Sequence, residues 1–124
     1  MAMIVKAIER AGYVPGEDFK IAIDAASSEW YDEAIDAYRL PKAGKILTRE
    51  AMVETWVSFV DKYPIISLED GMSETDWKGW DMLTKALGNR IQLVGDDLFV
   101  TNTKLLQETI TWTVCRRLLP PNGR

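Results

Sequence analysis

The sequence predicts an α/β fold with about three parallel strands and helices between them. Segments whose apolar residues recur at helical spacing alternate with short apolar runs, and glycine or proline separates most of these segments. Alternation at this spacing is typical of parallel strands joined by right-handed crossovers. Each apolar run is also followed by an acidic residue, and this second feature bears on function.

The first helix and the first strand are predicted near the N-terminus. Apolar residues at helical spacing begin at Ile4, and Gly12 is a helix stop. Residues 19–23 form an apolar run typical of a short buried strand, and Asp24 stands at its carboxyl end. The sequence therefore predicts a helix, a turn and then a strand that ends at an acid.

A second helix and strand follow an irregular stretch. Residues 25–45 show no clear periodicity, although residues 31–40 carry a weak hairpin signal. Thr48 is a plausible N-cap for an amphipathic helix. Residues 65–68 then predict the second strand, and Glu69 follows it.

The third helix and strand repeat this pattern. Residues 73–76 resemble a capping box, although an aspartate stands where glutamate or glutamine is preferred. Gly88 ends the predicted helix, and residues 91–95 predict the third strand, which is followed by Asp96. A last helix is predicted to begin at Thr101 or Asn102 and to contain Leu105 and Leu106.

Composition and charge exclude several classes of protein. Of the 124 residues, 47% are hydrophobic and 27% are charged, which is ordinary for a globular domain and argues against bulk disorder. No apolar run approaches the roughly 20 residues that span a bilayer, so a membrane protein and a signal peptide are not expected. The net charge of -4 and the lack of a basic stripe argue against binding of nucleic acid.

The residue inventory also narrows the possible chemistry. Histidine is absent, so the commonest zinc ligand and the commonest general base are both missing. The single cysteine, Cys115, forms no disulfide within the chain, and a reducing cytoplasm is expected. Chemistry in this chain must therefore depend on carboxylates, lysines or a hard metal ion.

Asp24, Glu69 and Asp96 occupy equivalent places at the carboxyl ends of the three predicted strands. Parallel α/β folds bind ligands at these ends, and three ionised carboxylates brought together there repel one another unless a cation neutralises them. Oxygen ligands suit Mg²⁺. The alternative is that each acid only favours the N-terminus of the next helix or lies in a solvated turn. Asp70 and Asp97 are interpreted as hydrogen-bond acceptors beside the ligands or as solvated turn residues.

Three long motifs resemble the segments around the metal ligands of enolase. They are Ile-Asp-Ala-Ala-Ser-Ser-Glu at residues 23–29, Tyr-Pro-Ile-Ile-Ser-Leu-Glu-Asp-Gly at residues 63–71, and Gln-Leu-Val-Gly-Asp-Asp-Leu-Phe-Val-Thr-Asn-Thr-Lys at residues 92–104, the last in its bacterial form. The resemblance runs from about Ile4 to about Leu106. It implies a partial TIM (β/α)8 barrel, with about three of the eight strands present.

The resemblance also implies a function. Enolases catalyse the reversible dehydration of 2-phosphoglycerate to phosphoenolpyruvate in glycolysis, are cytoplasmic, and are usually homodimers or larger. The match makes Asp24, Glu69 and Asp96 the Mg²⁺ ligands, with Glu69 and Asp96 contacting substrate through or beside the metal. The family's lysine base and glutamate acid have no counterpart here, so no catalytic residue is assigned in this chain.

The sequence after residue 108 departs from the family pattern. Residues 1–108 are predicted to be a fragment of the barrel domain, and residues 109–124 a non-homologous, disordered tail produced by a frameshift or an assembly error. One alternative is a non-catalytic remnant or interaction module. Another is a Mg²⁺-binding signalling receiver domain, which would place a pair of acids after its first strand, where Asp24 stands alone.

Overall fold

Two three-stranded sheets and three helices organise the part of the chain that the computed structural model describes, residues 1–100 and 102–104. The helices and strands follow one another as α1 (Ala2–Arg10), β1 (Ile21–Asp24), β2 (Tyr31–Asp32), β3 (Ala37–Leu40), β4 (Lys45–Leu47), α2 (Arg49–Lys62), β5 (Ile65–Glu69), α3 (Trp77–Leu87) and β6 (Gln92–Val94). The predicted α/β class is confirmed, and the described residues form a parallel sheet with helices and no closed barrel.

The larger sheet is parallel, with the strand order β1-β5-β6. Its register aligns Ile23 with Leu68 and Leu68 with Leu93. Leu68 and Leu93 are almost fully buried, and Ile23 packs against the same core. Because successive side chains of a strand point to opposite faces, this apolar row covers the core face, and the residues that alternate with it lie on the other face.

Helices α2 and α3 supply most of the core on the apolar face of this sheet. Both helices carry an apolar stripe, in which Trp56 of α2 and Trp80 of α3 are 5% and 0% exposed. The indole N–H of Trp56 donates to the Gly71 carbonyl at 2.7 Å, and that of Trp80 donates to the Ser73 carbonyl at 3.1 Å. The two tryptophans therefore fill the core and also hold the segment after β5 in place.

Residues 25–45 are more regular than the sequence predicts. The weak hairpin signal is confirmed by the antiparallel pairing of β2 with β3, but β3 also pairs with β4 to complete a second sheet. Every strand of this sheet has four residues or fewer, which is too short for a period-two pattern to stand out. This sheet is stabilised by contacts with distant parts of the chain.

A buried ion pair links the second sheet to both helices. Asp76 is 2% exposed, and its carboxylate accepts hydrogen bonds from the Tyr38 hydroxyl at 2.8 Å and from Arg49 Nε at 2.5 Å. Arg49 also donates to Asp36 at 2.6 Å, and Tyr31 donates to the same carboxylate oxygen. Because a buried charge requires partners, this network determines how the second sheet sits against α2 and α3.

The starts of the two core helices differ in how well they were predicted. Thr48 is the N-cap of α2, as expected, and its hydroxyl accepts from the Ala51 amide at 3.3 Å. The predicted capping box at residues 73–76 is wrong in position. Helix α3 begins at Trp77, and Asp76 is its N-cap, accepting from the Gly79 amide at 2.9 Å.

The chain is more loosely packed at both ends of the described region. Helix α1 has no buried residue, and only its partly buried Val5, together with Met1 just before the helix, packs against the core. Near the other end, Asn102 accepts from the Lys104 amide at 3.0 Å, and residues 103 and 104 are helical, consistent with the predicted cap. The predictions for Leu105, Leu106, Cys115 and the 109–124 tail lie outside the described residues.

Within residues 1–100 and 102–104, no helix has the length and apolar character needed to cross a membrane.

Candidate metal centre

The candidate centre begins with two acids at the carboxyl ends of neighbouring strands. Asp24 is the last residue of β1 and Glu69 is the last residue of β5, and the register of the sheet pairs them directly. Both alternate with the buried row that contains Leu68, so they lie on the face of the sheet away from the helices. The sequence predicts that Asp24, Glu69 and Asp96 converge at the strand ends, and the structure brings the first two of these carboxylates together.

A third carboxylate completes a cluster that has the geometry for a metal ion. One carboxylate oxygen from each of Asp24, Glu69 and Asp70 lies within 4.8 Å of the other two. Asp24 is exposed, Glu69 is partly buried, and Asp70 is 4% exposed. The structure thus groups Asp70, rather than Asp96, with the first two acids.

The turn after β1 is shaped around Asp24. Ala26 has a φ of 45°, and its backbone amide donates to Asp24 Oδ1 at 3.2 Å. The chain then enters a short 3-10 helix that starts at Ser27, whose amide donates to the Asp70 carbonyl at 3.0 Å. In the same helix, Ser28 Oγ accepts from the Glu74 amide at 3.0 Å. The loops after β1 and β5 are therefore hydrogen-bonded to each other.

Asp70 connects the loops after β5 and β6. Its φ of 45° is in the left-handed region, which aspartate enters more readily than most residues. Its carboxylate oxygens accept from the backbone amides of Asp96 and Asp97, each at 3.1 Å. The sequence interpretation that Asp70 is a hydrogen-bond acceptor beside the ligands is therefore the one that matches these contacts.

Asp96 lies in the turn that follows β6. Its side chain is exposed, and its carbonyl accepts from the amides of Phe99 at 3.2 Å and Val100 at 3.0 Å. Gly95 precedes it, and a Cβ there would lie 2.9 Å from both Leu98 Cβ and Phe99 Cε2. The tight turn thus requires glycine, and it leaves the Asp96 carboxylate free in solvent at the edge of the cluster.

The ionised carboxylates of this cluster repel one another. The pKa of Glu69 is raised from its ordinary value, first by burial and then by the negative charges of Asp24, Asp70 and Asp96. Asp96 follows Val94, the ladder partner of Glu69, by two residues. The pKa of Asp70 is also raised, mainly by burial, although the hydrogen bonds from the Asp97 and Asp96 amides act in the opposite direction.

The donor set fits a hard divalent cation. All the candidate ligands are carboxylate oxygens, which magnesium and calcium prefer, and the described residues offer no thiol or imidazole at this place. An ion bound here would neutralise the repulsion among these carboxylates, which adds to burial in raising the pKa of Glu69. A partly exposed cluster also leaves coordination positions for water and substrate oxygens, as Mg²⁺ requires.

A comparison with protein-family models gives one match that spans nearly the whole chain. The model describes the C-terminal TIM barrel domain of enolase, and it matches residues 1–120 of the 124. The matched range contains every acid of the candidate centre. It also extends beyond residue 108, where the sequence analysis placed a domain boundary, and that boundary stays a prediction.

Proposed function

Because this chain belongs to the enolase C-terminal domain family, we propose that it carries the Mg²⁺-binding part of an enolase-type site. The reaction served by such a site is the reversible dehydration of 2-phosphoglycerate to phosphoenolpyruvate, catalysed by a carbon-oxygen lyase. The single observation that carries the proposal is the pairing of Asp24 with Glu69 at adjacent strand ends, beside the charge of Asp96.

Asp24, Glu69 and Asp96 are the proposed ligands. One carboxylate oxygen of Asp24 lies within 4.8 Å of one carboxylate oxygen of Glu69, and Asp96 is an exposed acid in the turn that follows β6. The Asp70 carboxylate belongs to the same geometric group, but both of its oxygens already accept backbone hydrogen bonds. We therefore propose that Asp70 supports the turn after β6 through these hydrogen bonds and does not bind the metal ion.

The proposed chemistry depends on the positive charge that a bound Mg²⁺ ion would place at the site. Removal of a proton next to a carboxylate produces an enediolate, and bound Mg²⁺ supplies the positive field that makes this intermediate accessible. Glu69 and Asp96 would lie beside the substrate carboxylate. The chain's own residues would hold and orient that positive charge at one edge of the sheet.

This chain alone is proposed to give no turnover. The family resemblance assigns the proton-abstracting lysine and the glutamate acid to segments that have no counterpart among these residues. Binding of the substrate, a homodimeric or larger assembly and a cytoplasmic location are likewise proposals that follow from the family.

A binding experiment tests the metal site. The purified chain is titrated with Mg²⁺ by calorimetry and with Mn²⁺ by electron paramagnetic resonance. Glu69→Gln is compared with Glu33→Gln, which removes the same charge at an exposed position in the turn between β2 and β3. We expect saturable binding to the wild-type chain and to Glu33→Gln, and an affinity at least about tenfold weaker in Glu69→Gln.

Two results would count against the proposal. If the wild-type chain shows no saturable binding while circular dichroism shows it folded, the metal site is wrong. If Glu69→Gln binds as tightly as Glu33→Gln, the ion lies elsewhere. Conversion of 2-phosphoglycerate by the chain alone, measured by phosphoenolpyruvate absorbance and dependent on Mg²⁺, would overturn the proposal of inactivity.

A further inference from the structure

We propose that Asp70 is a positioning residue, which clamps the turn after β6 so that Asp96 is held beside the Asp24–Glu69 pair. The clamp consists of hydrogen bonds within the chain and requires no metal ion. The consequence for Asp96 as a ligand rests on the proposed function.

The clamp consists of one buried carboxylate and two consecutive backbone amides. Oδ1 of Asp70 accepts from the amide of Asp96, and Oδ2 accepts from the amide of Asp97, each at 3.1 Å. Only 4% of the Asp70 surface is exposed. Hydrogen bonds to an ionised acceptor are stronger than those between neutral groups, and burial strengthens them further.

The backbone of Asp70 is anchored on both sides. Its amide donates to the Val94 carbonyl at 2.9 Å, which extends the pairing of β5 with β6 past the last strand residue. Its carbonyl accepts from the Ser27 amide at 3.0 Å. Asp70 thus connects the ends of β1, β5 and β6, and its left-handed conformation, with a φ of 45°, is held by contacts on every side.

The side chain has to be an aspartate for the clamp to work. A carboxylate presents acceptors on both oxygens, so each can face one amide N–H. Asparagine keeps one acceptor, but its NH₂ group would face the other backbone N–H as a second donor. Glutamate would extend the carboxylate by one methylene into a space that is already closed.

Leu98 and Phe99 anchor the far side of the turn after β6 in the core, whereas the backbone of Asp96 precedes them. Its carbonyl accepts from the Phe99 and Val100 amides, but these bonds lie within the turn and do not tie it to β5. The Asp96 side chain itself is exposed. Among the described residues, the hydrogen bonds that the Asp70 carboxylate accepts therefore tie the backbone of Asp96 and Asp97 to the end of β5.

The test compares Asp70→Asn with Asp97→Asn. Both changes remove one negative charge beside the cluster, but Asp97 takes part in the clamp through its backbone amide, which the substitution leaves intact. Amide hydrogen exchange of residues 96 and 97 is measured by NMR in the metal-free chain. Mn²⁺ affinity is measured at a temperature at which circular dichroism shows each variant folded.

We expect both amides to be protected in the wild-type chain and in Asp97→Asn, and to exchange faster in Asp70→Asn. We expect Mn²⁺ affinity to fall about 10- to 100-fold in Asp70→Asn, which is the range for residues that orient metal ligands. Asp97→Asn should bind Mn²⁺ much more tightly than Asp70→Asn, because only its charge is lost.

Each contrary outcome is decisive for one part of the proposal. Unprotected amides at residues 96 and 97 in the wild-type chain would overturn the clamp, and this measurement needs no variant to fold. Faster exchange in Asp70→Asn with an unchanged Mn²⁺ affinity would reduce Asp70 to a structural role. If the wild-type chain binds no Mn²⁺, the proposed function and the role of Asp70 toward a ligand both fail, whereas the exchange data still decide the clamp.

Discussion

Asp24 and Glu69 are register partners in the parallel ladder between β1 and β5, and each is the last residue of its strand. Like charges placed directly opposite each other destabilise a sheet. The pKa of Glu69 is raised first by burial and then by the negative charge of Asp24 and its acidic neighbours. An arrangement that lowers the stability of the metal-free chain in this way is typical of a site built for a cation.

The raised pKa of Glu69 predicts an unusual dependence of folding stability on pH. Because the pKa of Glu69 is raised in the folded chain, the folded state holds a proton that the unfolded state has released between the ordinary glutamate value of 4.5 and the raised value. The free energy of unfolding therefore falls as pH rises through this window. Glu69→Gln removes the titrating group, so it should stabilise the metal-free chain at neutral pH relative to wild type.

Urea unfolding in the presence of a chelator, at neutral pH and near the ordinary glutamate pKa, measures this effect. The stabilisation by Glu69→Gln should be larger at the higher pH. Saturating Mg²⁺ should reverse the order, since an ion at 100 times its dissociation constant stabilises the wild-type chain by about 2.7 kcal/mol. A variant that is less stable than wild type under chelation at neutral pH would contradict the interpretation.

The buried Asp76 carboxylate should be essential for stability. Asp76→Ala removes the acceptor for Tyr38, Arg49 and the Gly79 amide, and leaves the guanidinium of Arg49, whose side chain is 14% exposed, without its buried partner. Breaking a buried ion pair on one side typically destabilises a protein by about 3–5 kcal/mol. Thermal unfolding followed by circular dichroism measures the loss.

Asp81→Ala is the matched control for that change. Asp81 lies in the same helix and forms an ion pair with Lys85, but the two side chains are 37% and 75% exposed. Exposed pairs contribute about 0.2–1 kcal/mol. Similar losses of stability in Asp76→Ala and Asp81→Ala would mean that the Asp76 network stabilises the chain no more than an exposed ion pair does.

Gly79 should resist substitution although it lies in a helix. Alanine favours helix formation over glycine by about 1 kcal/mol. A Cβ at this position, however, would lie 2.4 Å from Asp76 Oδ2 and 2.5 Å from Met72 Cε, both of which are buried. The clash should outweigh the gain, so we expect Gly79→Ala to destabilise the chain by about 1–3 kcal/mol.

Lys78→Ala, at the exposed neighbouring position, provides the comparison for Gly79→Ala. Surface substitutions of this kind change stability by about 0.5 kcal/mol or less. Denaturant midpoints of both variants should be measured under identical conditions. An increase in stability for Gly79→Ala would show that the Asp76 side chain moves aside, and the packing described around α3 would need revision.

The main helices and strands, and the positions of Asp24 and Glu69 at strand ends, could be predicted because their sequence signals are local. The apolar run before Glu69 and the stripe that contains Trp80 have the periodicities of a strand and a helix. The start of α3 was misplaced because Ser73 and Asp76 both satisfy the capping preference. The choice between them depends on Tyr38 and Arg49, which are far away in the sequence.

The order of elements, the parallel class and the location of acids at strand ends follow from the amino-acid sequence, since each depends on periodicity over a few neighbouring residues. The anchoring of the second sheet by the Tyr38 hydroxyl on Asp76, and the pairing of the Asp70 carboxylate with the Asp96 and Asp97 amides, depend on contacts between residues more than 20 positions apart. Such contacts exist only once the chain has packed. No local pattern distinguishes Asp70, held by two amides, from Glu69 beside it, whose carboxylate faces Asp24.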